Sequence, residues 1–232
     1  YDMLSLLPVM AGGYVVDGVD TSERFLWDVR RTIADLLAEN YYGRMRDVAH
    51  KHGLLFETEA AGAQQFLFDP ITYQQQADLP MGEFWVTEGR IRPDCKAAAS
   101  VAHIFNRKFV GAESFTSGPL QARWTQHPYS LKPLGDEAFC HGVNRFVFHR
   151  YAMQPWEGIR PGMTMGQWGI HLERTNTWWE PGHAWFEYLA RCQTLLQEGR
   201  FVGDVLYFTG EDIPNYLGYR KELKPALPVG YD

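Results

Sequence analysis

The sequence predicts an α/β fold in which helices alternate with the strands of a parallel sheet. Three features favour it: helical patterns lead directly into short apolar runs, glycines stand near several of these junctions, and carboxylates follow the runs. About five strands are expected, too few for a closed barrel of eight. The sheet is therefore either open or a piece of a (β/α)8 barrel, a fold of ~250 residues, whose first strands precede Tyr1.

The first 53 residues contain the helical elements that open the chain. Residues 1–18 are short apolar pieces broken by proline and glycine, which indicates a loop with one turn of helix. An N-cap in the segment that starts at Asp20, followed by apolar residues at helical spacing, predicts a helix to about Glu39. A second helix or a kinked extension is expected over 41–52, with Gly53 ending it.

The remaining chain repeats the order of helix, glycine and strand. Residues 96–107 form an alanine-rich helical pattern, and residues 185–199 form the clearest amphipathic helix. Strands are expected over 54–58, 81–85, 109–110, 145–148 and 202–208.

Composition limits the classes of function. The chain has 232 residues, 45% of them hydrophobic, so it can bury a sizeable core as one domain or most of one. A net charge of −6 without a Lys/Arg-rich run argues against nucleic-acid and anionic membrane partners. Eight tryptophans, many beside polar residues, suit a carbohydrate cleft, although aromatic rings also fill ordinary cores.

The cysteines and the termini give little information about the class of protein. Cys95, Cys140 and Cys192 are far apart and show neither a disulfide framework nor a zinc spacing. No run approaches the ~18 apolar residues of a membrane span. The first residues lack a signal pattern and an initiator Met, and they resemble the interior of a longer protein.

Three glutamates at strand ends are the candidate catalytic residues. Glu113 is expected at the carboxyl tip of its strand, and Glu59 and Glu83 belong to two similar runs. Glu57 alternates with Glu59, so only one of the two should face the site. Paired carboxylates perform glycoside hydrolysis, but carboxylates gathered in this way could equally hold a hard cation such as calcium, and a single one is often an ion-paired loop residue.

The segment 162–180 is too polar for a core and too aromatic for a solvated linker, which predicts a substrate-binding loop. A second patch of the same kind follows the strand at 145–148. The predicted substrate-binding residues are His149, Trp156, His171, Glu173, Arg174, Asn176, Trp178 and Trp179. Ser114 and Ser117 do not lie in a GxSxG elbow, so serine hydrolase chemistry is not expected.

The segments SERFLWDVRRTIADLLAENYYG, ADLPMGEFW, GAESFTS, GVNRFVFHRYAMQPW and PGMTMGQWGIHLERTNTWW, in this order, resemble family 106 glycoside hydrolases, the α-L-rhamnosidases. The resemblance covers about the whole chain. It implies that residues 1–232 are part of a single catalytic (β/α)8 barrel domain, incomplete at its N-terminus. It also implies inversion at the anomeric carbon, a calcium ion near the bound rhamnose, and accessory β domains in a longer protein.

The resemblance assigns roles residue by residue. Glu113 matches the expected general base, and Glu83 matches another active-site carboxylate. Glu59 lies where the family has a Glu followed by Pro and Tyr, but Ala60 and Ala61 follow it here, and Met153 replaces a His found in many relatives. The general acid is then expected on a strand upstream of Tyr1.

Two hypotheses of function follow. The first is an enzyme that cleaves terminal α-L-rhamnosyl residues from plant-type polysaccharides or glycosides. The second is a catalytically inactive carbohydrate-binding fragment or pseudoenzyme of the same barrel. The surrounding reading frame discriminates between them, because an upstream acidic strand and a downstream β-rich domain favour the enzyme.

Overall fold

A computed structural model of the chain describes residues 2–59, 69–120, 123–164, 166–228 and 230. Its sheet has four parallel strands in the order β1-β2-β4-β5, and a short strand β3 pairs with β2 in the antiparallel direction. The strands are β1 Glu57–Glu59, β2 Leu79–Trp85, β3 Arg90–Ile91, β4 Gly111–Thr116 and β5 Arg145–Phe148. The predicted α/β fold with a parallel sheet is confirmed. Within the described ranges the sheet is open, so a closed barrel stays a prediction.

Seven α-helices surround the sheet in the described part of the chain. They are α1 Met3–Met10, α2 Val19–Leu36, α3 Arg44–Lys51, α4 Pro70–Gln74, α5 Pro93–Ile104, α6 Pro128–Cys140 and α7 His183–Glu198. A π-helical segment, Leu37–Gly43, joins α2 to α3, and a 3-10 turn forms at Arg220–Glu222. Among the described residues, no helix combines the length and the apolarity that crossing a membrane requires.

The long N-terminal helix follows the predicted pattern except at its start. The kinked extension is present, and Gly53 ends α3 with a φ of +69°. The N-cap predicted at Asp20 is wrong, because α2 begins at Val19. The Ser22 hydroxyl instead accepts from the Val16 amide and donates to the Val16 carbonyl, both at 3.0 Å, so it fastens the preceding loop.

The main core lies between one face of the sheet and helices α5, α6 and α7. Phe84, Phe115 and Phe146 form its centre, with ring centroids 4.9 to 5.7 Å apart. Helix α5 approaches β2 closely because Gly82 has no side chain: a Cβ there would lie 2.5 Å from the Cys95 amide nitrogen. Since side chains alternate along a strand, Glu83 and Glu113 stand on the opposite face.

Two predicted strands are corrected. Strand β4 runs over Gly111–Thr116 and not over 109–110, so Glu113 stands inside the strand and not at its tip. Residues 202–208, all of them described, form no strand, and Phe208 is 85% exposed. Phe201, just before this segment, stacks on His103 of α5, with ring centroids 3.7 Å apart. The segment therefore begins against α5 and not in the sheet.

In the described part of the chain β5 pairs with β4 alone, and two side chains of α7 bind backbone groups beside its other edge. Gln193 Oε1 accepts from the Phe146 amide at 2.7 Å, and Gln197 Nε2 donates to the Asn144 carbonyl at 2.7 Å. Both glutamines belong to α7, so this helix satisfies backbone groups that a neighbouring strand would otherwise bind.

Candidate active site

Strand pairing gathers the three predicted glutamates on one face of the sheet. Glu83 pairs directly with Glu113. Glu59 pairs with Met81, which lies two residues before Glu83 on β2. One carboxylate oxygen from each of Glu59, Glu83 and Glu113 lies within 4.8 Å of the other two. Glu57 is exposed and lies outside this group, but the expectation that strand alternation turns it away from Glu59 is wrong, because side chains two positions apart point to the same face. We call Glu59, Glu83 and Glu113 the carboxylate cluster.

A β-bulge in β4 fixes the position of Glu113. Glu83 pairs with Glu113, but Trp85 pairs with Thr116, so β4 holds one extra residue between them. Phe115 supplies it in the left-handed region, with a φ of +62°, which is unusual for so bulky a residue. The bulge brings Thr116 to the side of Glu113, where its hydroxyl donates a hydrogen bond to the Glu113 carboxylate.

Arg92 is a residue of the site that the sequence did not reveal. It follows β3, and its guanidinium forms an ion pair with Glu83 and lies 3.7 Å from a Glu88 oxygen. No motif surrounds it in the sequence. The hairpin of β2 and β3 brings it back beside the cluster, so only the tertiary pairing could have found it.

Glu59 is a member of the cluster whose pKa is shifted by its surroundings. Burial, followed by the charges of Glu113 and Asp94, raises its pKa from 4.5 to about 7, although Arg92 opposes the shift. One of its carboxylate oxygens, Oε1, is buried and has no hydrogen-bond partner in the described part of the protein. Burial also raises the pKa of Asp94 to about 6. Near neutral pH, Glu59 can therefore hold a proton.

His149 lies beside Glu113, with its Nδ1 3.8 Å from Glu113 Oε1. Burial lowers the His149 pKa, and Arg150 adds to this effect against the attraction of Glu113. The imidazole is therefore mainly neutral at pH 7, and it does not neutralise Glu113. This leaves the Glu113 carboxylate able to accept a proton.

The first part of the predicted substrate-binding loop reaches the cluster. Its backbone is fixed by hydrogen bonds from the Gly169 amide to the Ser117 carbonyl (2.8 Å) and from the Ile170 amide to the His149 carbonyl (2.9 Å). Trp168 contacts Trp85 edge to face, with ring centroids 5.9 Å apart. The sequence predicted this loop as substrate-binding, but neither Trp85 nor Trp168 was among the predicted residues.

The second part of the loop is engaged in internal contacts. The buried Glu173 carboxylate accepts from the Thr175 amide at 2.6 Å, Trp178 Nε1 donates to the Gln126 carbonyl at 2.8 Å, and Trp179 packs against the main core. His171 stacks on Trp124, Asn176 donates to the His171 carbonyl, and Arg174 donates to the carbonyl of the exposed Trp156. The structure thus joins Glu59, Glu83, Glu113 and His149, while sugar contacts by the other residues remain predictions.

A groove of about 820 Å³ opens at the other end of the sheet. Its lining includes Lys96, His103, Arg107 and Lys108, and none of the carboxylate cluster. We place the candidate site at the cluster because three carboxylates converge there and the buried Glu59 Oε1 has no partner among the described residues, whereas cavity size alone does not indicate chemistry.

Comparison with known proteins places the chain among carbohydrate enzymes. Residues 1–232 match the model of glycoside hydrolase family 106, described as alpha-L-rhamnosidase. The chain is 43% identical over 232 residues to a protein of Formosa agariphila named "Putative beta-glucuronidase", of which it covers 19%. Its structure resembles that of a rhamnosidase from Novosphingobium sp. PP1Y, with a TM-score of 0.82, 37% identity and coverage of 91% of this chain and 20% of that one. The chain therefore spans about a fifth of the length of these relatives.

Proposed function

The chain belongs to glycoside hydrolase family 106, the α-L-rhamnosidases, and from this we propose that it forms part of the active site of an inverting α-L-rhamnosidase. The observation that carries the proposal is the carboxylate cluster on one face of a parallel sheet. Helices α5, α6 and α7 cover the other face, as they would in a segment of barrel wall. We propose that segments outside residues 1–232 complete the (β/α)8 barrel.

Glu113 is the proposed general base. It accepts a hydrogen bond from Thr116 and has a mainly neutral His149 beside it, so its carboxylate is oriented but not neutralised. In an inverting reaction this carboxylate removes a proton from the water that attacks the anomeric carbon. The glycosidic oxygen takes a proton from the general acid as its bond to that carbon breaks.

The general acid is proposed to lie outside the cluster. An inverting acid and base stand roughly 6.5–9.5 Å apart to leave room for water, and a retaining pair about 5–5.5 Å. One oxygen of each glutamate lies within 4.8 Å of one oxygen of the other two, which is closer than the separation of an inverting pair. Glu59 and Glu83 are therefore better suited to binding, and a segment outside residues 1–232 supplies the acid.

The cluster fits a calcium ion. Carboxylate oxygens at roughly 2.4 Å from one cation stand no more than about 4.8 Å apart, a limit that oxygens of Glu59 and Glu83 meet, so these two would hold the ion and leave Glu113 as the base. The buried Glu59 Oε1, without a partner among the described residues, is a ready ligand atom. Bound there, calcium would hold sugar hydroxyl groups and favour ionised Glu59. Arg92 offsets part of the negative charge through its ion pair with Glu83.

The test measures substrate choice and stereochemistry together. A β-D-glucuronide carries a carboxylate where an α-L-rhamnoside carries a methyl group, so these two glycosides are the pair that the test compares. The full-length protein that carries these residues is given an aryl α-L-rhamnoside or an aryl β-D-glucuronide, with and without a calcium chelator, and NMR identifies the first-formed anomer. We expect release of β-L-rhamnose, loss of activity with chelator and its return with calcium. Formation of the α anomer would refute inversion, and turnover of the glucuronide alone would refute the substrate class. Binding of rhamnosides without any turnover would favour the carbohydrate-binding hypothesis.

A further inference from the structure

Trp168 is an exposed aromatic residue at the edge of the carboxylate cluster. Its ring is 42% exposed and meets Trp85 at an interplanar angle of 82°. Trp85 lies two residues after Glu83 on β2, so the alternation of the strand puts both on the same face. One side of Trp168 therefore contacts a residue that lies two positions after Glu83 on the same face of β2.

The following residue fixes the loop on the side of Glu113. A Cβ on Gly169 would lie 2.7 Å from the His149 carbonyl oxygen and 2.8 Å from His149 Nδ1, so only glycine allows this approach. His149 Nδ1 is 3.8 Å from Glu113 Oε1. Residues 168–169 thus span from the neighbour of Glu83 to the neighbour of Glu113, which places the Trp168 ring beside the cluster.

We propose that Trp168 is the specificity-determining wall of the sugar subsite and selects a 6-deoxy sugar. This rests on the function proposed above. The cluster offers oxygen atoms for sugar hydroxyl groups, whereas the exposed indole offers an apolar surface for the methyl group and the adjacent C–H groups. A hydroxyl on that methyl carbon would lose water against the indole without gaining a partner there. The site therefore prefers L-rhamnose to L-mannose, which differs only by that hydroxyl.

Calorimetric titration of the full-length protein with L-rhamnose and L-mannose tests the wall. We expect the wild-type protein to bind L-rhamnose at least about tenfold more tightly, the scale on which apolar pockets discriminate single groups. In Trp168→Ala, L-rhamnose should bind about tenfold more weakly and the preference should fall towards one. Trp168→Phe, which keeps an aromatic ring, should retain most of the preference. An unchanged ratio and affinity in Trp168→Ala would overturn the proposal.

Two glycines of the same loop provide a matched control for its position. Gly166 and Gly169 both have a φ of +84°, but a Cβ on Gly166 would meet no atom within 4 Å. Alanine strains the backbone equally at both positions, and only at 169 does it also push the loop away from His149. Gly169→Ala should therefore reduce the preference as Trp168→Ala does, and Gly166→Ala should keep it. If both alanine variants changed the preference for L-rhamnose equally, the proposed role of Trp168 would be contradicted.

Failure of this inference and failure of the proposed function give different results. If L-rhamnose binds but Trp168→Ala leaves its binding unchanged, the wall is refuted and the rhamnosidase proposal stands. If the wild-type protein does not bind L-rhamnose, both the selection of a 6-deoxy sugar and the proposed substrate are refuted.

Discussion

At the amino end of the sheet Asn144 has a partner for every polar atom, whereas at the carboxyl end Glu59 and His149 each hold a buried atom without a hydrogen-bond partner among the described residues. Asn144 Oδ1 accepts from the Val110 amide (2.8 Å), its Nδ2 donates to the Lys108 carbonyl (2.9 Å), and its own carbonyl accepts from Gln197. Its amide donates to the Val110 carbonyl at 3.0 Å.

The difference separates stability from function within one sheet. Satisfied polar groups hold β4, β5 and α7 together at the amino end, where a lost hydrogen bond is a loss of folding energy. Unsatisfied and mutually repelling groups at the carboxyl end cost stability unless a ligand or a cation satisfies them. Substitutions at the two ends should therefore have opposite signatures in activity and stability.

Glu113→Gln should produce the largest effect, and on activity alone. The amide cannot take the proton of the attacking water, and proton transfer by a positioned carboxyl typically contributes about 10²–10⁴-fold. We expect a loss of kcat of that size in the full-length protein, with a melting temperature unchanged or raised because one repelling charge is gone. A variant that unfolds more easily, or that keeps full activity, would contradict the functional assignment of this end.

Glu59 should make the carboxyl end less stable as pH rises. Its pKa is about 7 in the folded protein and near 4.5 in the unfolded chain, so between these values the unfolded chain has released a proton that the folded protein retains. Stability should therefore fall from about pH 4.5 to pH 7 and then level off, by about 2–3 kcal/mol. Asp94, with a pKa of about 6, acts in the same direction.

Urea denaturation at pH 5 and pH 8 in the presence of a chelator measures this dependence. Glu59→Gln should reduce the difference between the two pH values, and added calcium should stabilise the wild-type protein at pH 8 more than this variant. The same pH difference in both proteins would show that Glu59 ionises normally in the fold.

Asn144→Ala should show the reverse signature at the amino end. The substitution removes the side-chain hydrogen bonds to the buried Val110 amide and the Lys108 carbonyl, which should lower the stability by about 1–3 kcal/mol. Activity measured well below the melting temperature should stay unchanged. Asn144→Asp keeps the acceptor for Val110 but turns a charged oxygen towards the Lys108 carbonyl, so at neutral pH it should lose stability as well.

The elements that the sequence predicted correctly are those whose pattern depends on local spacing. Strand β5 has the predicted bounds, and α7 begins and ends within two residues of the prediction, because apolar periodicity is a property of the segment itself. The three glutamates were found because each lies in a recognisable strand context.

The features that sequence analysis missed depend on contacts between distant segments. Residues 202–208 have a strand-like composition, but Phe201 before them stacks on His103 of α5, a contact that no local pattern predicts. Arg92 reaches Glu83 only through the β2 and β3 hairpin. Trp168 and Trp85, more than 80 positions apart in the chain, meet only in the folded protein.

The bulge at Phe115 is the feature that the sequence predicts least. Thr116→Val tests what the bulge does, and its expected effect on kcat is the smallest of these predictions. Valine has the shape of threonine but cannot donate to the Glu113 carboxylate, so the fold should persist while Glu113 loses the contact that orients it. Hydrogen bonds to charged groups contribute about 1.5–3 kcal/mol, and a nearby water can replace part of this, so we expect kcat to fall by about tenfold. Thr116→Ser keeps the hydroxyl and should keep most of the activity. A loss in Thr116→Ser without a loss in Thr116→Val would indicate that the methyl group of Thr116 matters and the hydroxyl does not, and the bulge would then serve packing of Phe115 and not the orientation of Glu113.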